Sequence, residues 1–125
     1  MLNLPHKTRL QVWWIYFLAW TAALIAPIRD QTPWVVTSIQ VDLKFLVAKT
    51  VHVGGYALFT ILTGWLLVPL RERWLMMFLL MGHATLTELI QEHVPGRSGH
   101  LHDVAFDQLG ITLGLIASWK WWREG

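Results

Sequence analysis

Residues 49–70 read KTVHVGGYALFTILTGWLLVPL, and the fold follows from how this stretch is read. From Thr50 to Leu70 the only strongly polar side chain is His52, and the run closes on Pro69 and Arg71-Glu72-Arg73. A hydrocarbon core needs roughly 20 apolar residues in a helix. The stretch is therefore expected to cross a membrane, and Pro69 discourages the helix from continuing.

Working outward, Leu10 to Ile28 carries no ionisable residue except Tyr16 and follows His6, Lys7 and Arg9. This run exceeds the roughly 7–15 residues of a signal-peptide core, and Ala26-Pro27-Ile28-Arg29-Asp30 offers no clear cleavage site, so an uncleaved first span is expected. Between the two spans, Ser38 to Ala48 is mixed in polarity and is expected to lie along the interface as a short amphipathic helix. Two later runs are short. Trp74 to Thr87 covers about 21 Å and Gln108 to Trp119 about 18 Å at roughly 1.5 Å per residue. To cross, each must borrow turns from charged sequence: Glu88, Gln91 and Glu92 after the one, Asp103 and Asp107 before the other. The expected architecture is a single all-α domain over residues 1–125, a four-span transmembrane bundle with spans near 10–28, 49–70, 74–93 and 102–122.

Composition agrees. The 125 residues are 54% hydrophobic and 14% charged, with nine Trp and a net charge of +2. A soluble domain usually carries about a quarter charged residues. The absence of Cys excludes disulfides, thiolate metal sites and a cysteine nucleophile. Basic residues cluster no further than Arg71 and Arg73, which gives no nucleic-acid footprint. Lys7, Arg9, Arg71, Arg73, Lys120 and Arg123 would share one side, against Arg29, Lys44, Lys49 and Arg97 on the other. The excess places both termini in the cytoplasm. Trp13, Trp14, Trp74, Trp119, Trp121 and Trp122 would form an interfacial belt on that side, with Trp20 and Trp65 as packing residues.

Helical spacing sorts the polar residues onto faces. Lys49, His52 and Tyr56 fall at i, i+3 and i+7; Glu88 and Gln91 are three apart, beside a row of His83, Thr87 and Gln91; Asp103, Asp107, Gly110 and Gly114 form one stripe. All sit toward the same, non-cytoplasmic end. A charge in mid-membrane costs roughly 2.5–3.5 kcal/mol on insertion scales, so these groups are expected to face one another. Gly110-x-x-x-Gly114 is expected to allow close helix approach.

This ordered series, Lys49-x-x-His52-x-x-x-Tyr56, Glu88-x-x-Gln91, Pro95-Gly96-Arg97 and Asp103-x-x-x-Asp107-x-x-Gly110-x-x-x-Gly114, resembles the VanZ-like family of small bacterial membrane proteins over about residues 42–117. The resemblance carries the family's Lys, His and Tyr onto Lys49, His52 and Tyr56, its Glu and Gln onto Glu88 and Gln91, its Arg onto Arg97 and its Asp onto Asp103. Two positions depart. Ala48 stands where the family often has an acid, and Asp107 where it usually has Asn. The resemblance implies a cell-envelope protein of the bacterial inner membrane, and the family's namesake is associated with teicoplanin resistance.

Three functions follow as expectations. In the first, Lys49 and Arg97 grip an anionic headgroup, a lipid phosphate or cell-wall precursor, near the outer leaflet. Tyr56, Gln91 and Asp107 line that site, while His52 with Glu88 or Asp103 positions or transfers a proton. The second is a divalent-metal-dependent membrane enzyme using His52, Glu88, Asp103 and Asp107. The third is a non-catalytic envelope scaffold whose polar cluster only holds the bundle together.

Overall fold

A computed structural model describes residues 4–25, 38–93 and 103–123, with side chains described outside 38–45 and 103. The sequence expectations that fall on Arg97, Pro95, Gly96 and Arg29 lie outside the described residues, as does the side chain of Asp103. Five helices follow in order: α1 (His6–Ile25), α2 (Ser38–Trp65), α3 (Leu70–Gln91), α4 (Asp103–Ala117) and α5 (Trp119–Arg123). There is no strand among the described residues. Among the described residues one helical segment, Leu46–Trp65 with mean hydropathy 1.3, is long and apolar enough to cross a membrane; Val104–Ala117 is apolar but shorter.

Side-chain bonds fix the directions of the helices. Trp13 pairs with Thr63 and Tyr16 with Gly55, so α1 and α2 run antiparallel. Thr21 pairs with His83 and Gln91 with Leu24, so α1 and α3 run parallel. Helix α4 packs parallel to α2 in the most extensive helix contact of the fold. There a Cβ on Gly110 would overlap the Val53 carbonyl, and one on Gly114 would meet the Ala57 carbonyl and Thr60 Cβ. The pair thus lets backbone rest on backbone, the use of small residues that spacing alone suggested.

One end of the bundle is basic and tightly tied. Arg9 Nη1 donates to the Trp65 carbonyl at 3.0 Å and its guanidinium lies 5.4 Å from the Trp65 ring. Arg73 donates to the carbonyls of Val68 and Trp121. The start of α1, the α2–α3 turn and α5 therefore gather at this end.

Three sequence expectations change. The separate interfacial helix over 38–48 is instead the first part of one continuous 28-residue helix, α2. Polar side chains do not interrupt a helical backbone, and no Gly or Pro precedes Gly54 within α2 to break it. Helix α2 also stops at Trp65, before Pro69, as Leu67 turns left-handed at φ 52°. At the basic end, Trp122 is fully buried rather than part of an interfacial belt. Its indole lies on Gly64 and its Nε1 donates to Ser118 Oγ at 3.1 Å.

The bundle's polarity is inverted. Exposed positions include Ile15, Leu18, Val51, Phe78, Leu79, Leu113 and Ile116. Buried positions include Thr60, Thr63, Thr87, Glu88, Gln91 and Asp107 alongside Tyr56, Phe59 and Leu80.

Candidate functional site

The polar faces of α2, α3 and α4 meet at the end of the bundle away from Arg9 and Arg73. Each side chain arrives through helical spacing. On α2, Lys49 and His52 are one turn apart and Tyr56 follows one turn deeper; on α3, Glu88 and Gln91 share a face. On α4, Asp107 is one turn before Gly110, and the contact of Gly110 on Val53 delivers the carboxylate to the neighbouring residue, His52.

His52 Nδ1 and Asp107 Oδ1 are 2.9 Å apart. Glu88 completes the group: one ligand atom from each of His52, Glu88 and Asp107 lies within 4.8 Å of the others. Asp107 and Glu88 are each 1% exposed, whereas the His52 side chain retains 15%. The imidazole thus sits between solvent and two buried carboxyl groups. Lys49 Nζ lies 5.6 Å from the Phe106 ring on α4, so its ammonium leans toward the same helix that carries Asp107.

Deeper in the bundle, the Tyr56 hydroxyl stands 3.0 Å from His83 Nδ1 and 3.1 Å from Thr87 Oγ1. His83 Nε2 is 2.8 Å from Thr21 Oγ1 on α1. When Thr87 gives its own proton to the His83 carbonyl, 2.9 Å away, the chain has a consistent direction. Tyr56 then donates to Thr87, His83 Nδ1–H donates to Tyr56, and Thr21 donates to Nε2. Gln91 Nε2 donates to the Leu24 carbonyl at 2.6 Å, which satisfies a backbone oxygen in the last turn of α1. Trp20 roofs the region, its ring edge-on to Tyr56 at 5.5 Å and to His52 at 6.3 Å, and its indole fills the space that Gly55 leaves.

Of the residues singled out from sequence, His52, Glu88 and Asp107 come together, while Tyr56 and Gln91 bind neighbouring helices beside them. His52 pairs with Asp107 at 2.9 Å, and Glu88, which sequence set opposite His52, lies in the same cluster. His83 belongs to the site's hydrogen-bonded network although it was read only as part of a row on α3. Thr21, Tyr16 and Trp20 had no such signal, because single polar groups on an apolar helix make no stripe. His83 also edges an apolar groove of about 500 Å³ lined by Trp13, Phe17, Phe59, Leu79 and Leu86.

Chemically, the arrangement offers an imidazole oriented by one carboxyl group, with a second close by. That is a constellation for holding a proton or a cation. Comparison with family models, with curated proteins and with solved structures found no match.

Proposed function

We propose that this chain is a VanZ-like, multi-pass protein of the bacterial inner membrane with both termini in the cytoplasm. Its polar site lies toward the outer leaflet and binds an anionic headgroup, a lipid phosphate or a cell-wall precursor. Lys49 and Arg97 supply the positive charge. His52, paired with Asp107 and close to Glu88, orients the ligand or exchanges a proton with it, with Asp103 at the mouth of α4 as a further acid. On this reading the protein contributes to teicoplanin resistance by acting on an envelope component.

The observation that carries the reading is the inverted bundle: large apolar side chains cover the outside, and ionisable and hydroxyl groups from three helices occupy the inside. In lipid the outer face needs no cover and the inner groups find one another, whereas water would penalise such an exterior. The lengths of α1 and α3 support further spans beside Leu46–Trp65. At 20 and 22 residues, α1 and α3 reach about 30 and 33 Å, close to the roughly 30 Å of a hydrocarbon core. Counting from Trp65, His52 lies 13 residues and about 20 Å along α2 from the basic end, which supports a site toward the outer leaflet if the basic end is cytoplasmic. The groove beside His83 is suited to an acyl chain, again in favour of a lipid-like ligand.

The test is binding of phosphatidylglycerol and phosphatidylcholine by purified protein, measured by native mass spectrometry. Preferential retention of the anionic lipid by the wild type, lost in Lys49→Ala and Arg97→Ala variants that keep their helicity, is expected. Equal retention of both lipids by all three proteins overturns the reading.

A further inference from the structure

Helices α1 and α3 run side by side and are joined at Thr21–His83 and Leu24–Gln91, but between those bonds and the basic end they part around an apolar groove. Trp13 and Phe17 form one wall, Met76, Leu79 and Gly82 the other, and Phe59 of α2 the floor. The aromatic wall is held in place from behind. Trp13 donates its indole N–H to Thr63 on α2, and Phe17 stacks on Trp13 at 5.4 Å with 9° between the planes. A Cβ on Gly82 would meet nothing within 4 Å, so the groove is open at that position.

The dimensions select an occupant. From Met76 to Leu86 the groove follows α3 for about 15 Å at 1.5 Å per residue, half the roughly 30 Å of a hydrocarbon core. A volume of about 500 Å³ over that length leaves a cross-section of roughly 33 Å². A helix with its side chains is about 10 Å across and needs roughly 80 Å². The groove is therefore too narrow for a helix of a partner or of a second copy, and it is sized for one hydrocarbon chain reaching to mid-membrane.

Charge selects the head and the leaflet. Thr21 and His83 are level, so on parallel helices Arg9 and Arg71, each twelve residues nearer the basic end, are level as well. Arg9, Trp13 and Phe17 follow at four-residue steps on α1, and Arg71 shares a stripe with Phe78 and Gly82 on α3. An arginine thus precedes the groove by about one turn on each wall, with exposed Lys7 near Arg9 and Glu72 as the acid of the first turn of α3. Arg9 gives Nε and Nη1 to the carbonyls of Leu4 and Trp65, yet a guanidinium has five N–H donors and keeps some for a further acceptor. Arg71 is exposed. Basic pockets between membrane helices hold anionic lipid heads. We propose that the groove binds one acyl chain of an anionic phospholipid from the leaflet at the basic end, its phosphate held by Arg9 and Arg71. This second lipid site requires the chain to lie in a membrane and is independent of what the polar site around His52 binds.

The experiment places full-length protein in phosphatidylcholine vesicles with a trace of phosphatidylglycerol or phosphatidylcholine carrying a photoreactive diazirine in one acyl chain. After illumination, adducts are mapped by mass spectrometry. Labelling over residues 13–17 and 76–86 is divided by labelling at Leu113 and Ile116, on the exposed face of α4. The groove should label more strongly with phosphatidylglycerol, and Arg71→Gln should lower that labelling by about fivefold. Gly82→Leu fills the groove without meeting protein atoms and should lose the excess, whereas Gly54→Leu, on an exposed part of α2 with equal space, should keep it. Circular dichroism confirms that each variant is folded. Equal labelling by the two lipids in the wild type overturns the proposal, as does a folded Gly82→Leu protein that labels like the wild type. Groove labelling that falls with Lys49→Ala and ignores Arg71→Gln would give the chain to the lipid of the polar site, removing the second site and leaving the headgroup reading intact. Labelling that depends on Arg71 and Gly82 but not on Lys49 supports the second site even where the polar site binds no lipid.

Discussion

Asp107 on α4 stands 2.9 Å from His52 on α2 because Gly110, one turn further along α4, rests against the carbonyl of Val53. The polar contact and the close backbone approach are one feature. Gly110→Val should therefore push α4 away from α2, lengthen the His52–Asp107 contact and cost about 1–3 kcal/mol through overpacking. Gly82, on an exposed part of α3 with nothing near its missing Cβ, is the control. Gly82→Ala should be neutral or gain about 0.5–1 kcal/mol from helix propensity. Thermal unfolding in detergent, followed by circular dichroism, compares the two.

The Tyr56 hydroxyl links α2 to α3 through His83 and Thr87. Tyr56→Phe keeps the ring against Trp20 but leaves polar groups of His83 and Thr87 short of a partner, at a cost of about 1–3 kcal/mol. Tyr16→Phe removes a single bond to the Gly55 carbonyl and should cost less, about 1 kcal/mol. A larger loss from Tyr16→Phe than from Tyr56→Phe would contradict the assignment of Tyr56 as the interhelical link.

How far the site could be read in advance depended on what sets each feature. The stripes Lys49–His52–Tyr56 and Glu88–Gln91 are fixed by the helical period within one element, so spacing alone revealed them. Partnership depends on how neighbouring helices rotate, slide and tilt, and this is why spacing alone did not single out the His52–Asp107 pair among the nearby acids. The continuity of α2 is not legible from polarity, because a change in polarity is not a helix boundary. Ser38 to Ala48 changes the surroundings that the helix suits without supplying anything that stops a helix. Trp122 misled in the opposite sense: an aromatic near a chain end resembles an interfacial anchor until Gly64 opens a space for it.

Arg73, which sequence counts only among the basic residues of one side, is buried and serves the backbone. It donates to the carbonyls of Val68 and Trp121, tying the α2–α3 turn to α5. Lys has one ammonium and cannot reproduce the planar fork. Arg73→Lys should lower stability by about 2 kcal/mol, with α5 loosened first, whereas Arg71→Lys, at an exposed position, should be silent. Hydrogen exchange over residues 119–123, measured by mass spectrometry, distinguishes the two outcomes.

The inverted bundle makes the membrane reading directly measurable, and the absence of Cys makes the labelling clean. Single Cys residues at Ile15, Leu79 and Ile116 place spin labels on the exposed apolar faces of α1, α3 and α4. In vesicles, all three should be readily relaxed by oxygen, which concentrates in lipid, and poorly by a water-soluble nickel chelate. A label at Glu72, exposed in the first turn of α3, should show the reverse. This control matters because slow relaxation by nickel can also arise from burial in protein, but burial would suppress oxygen relaxation as well. Three lipid-exposed positions on three helices, together with the apolar Leu46–Trp65 segment, would require four crossings. Strong nickel relaxation at Ile15, Leu79 or Ile116 would place that helix in water, and with it would go the outer-leaflet position assigned to His52 and Asp107.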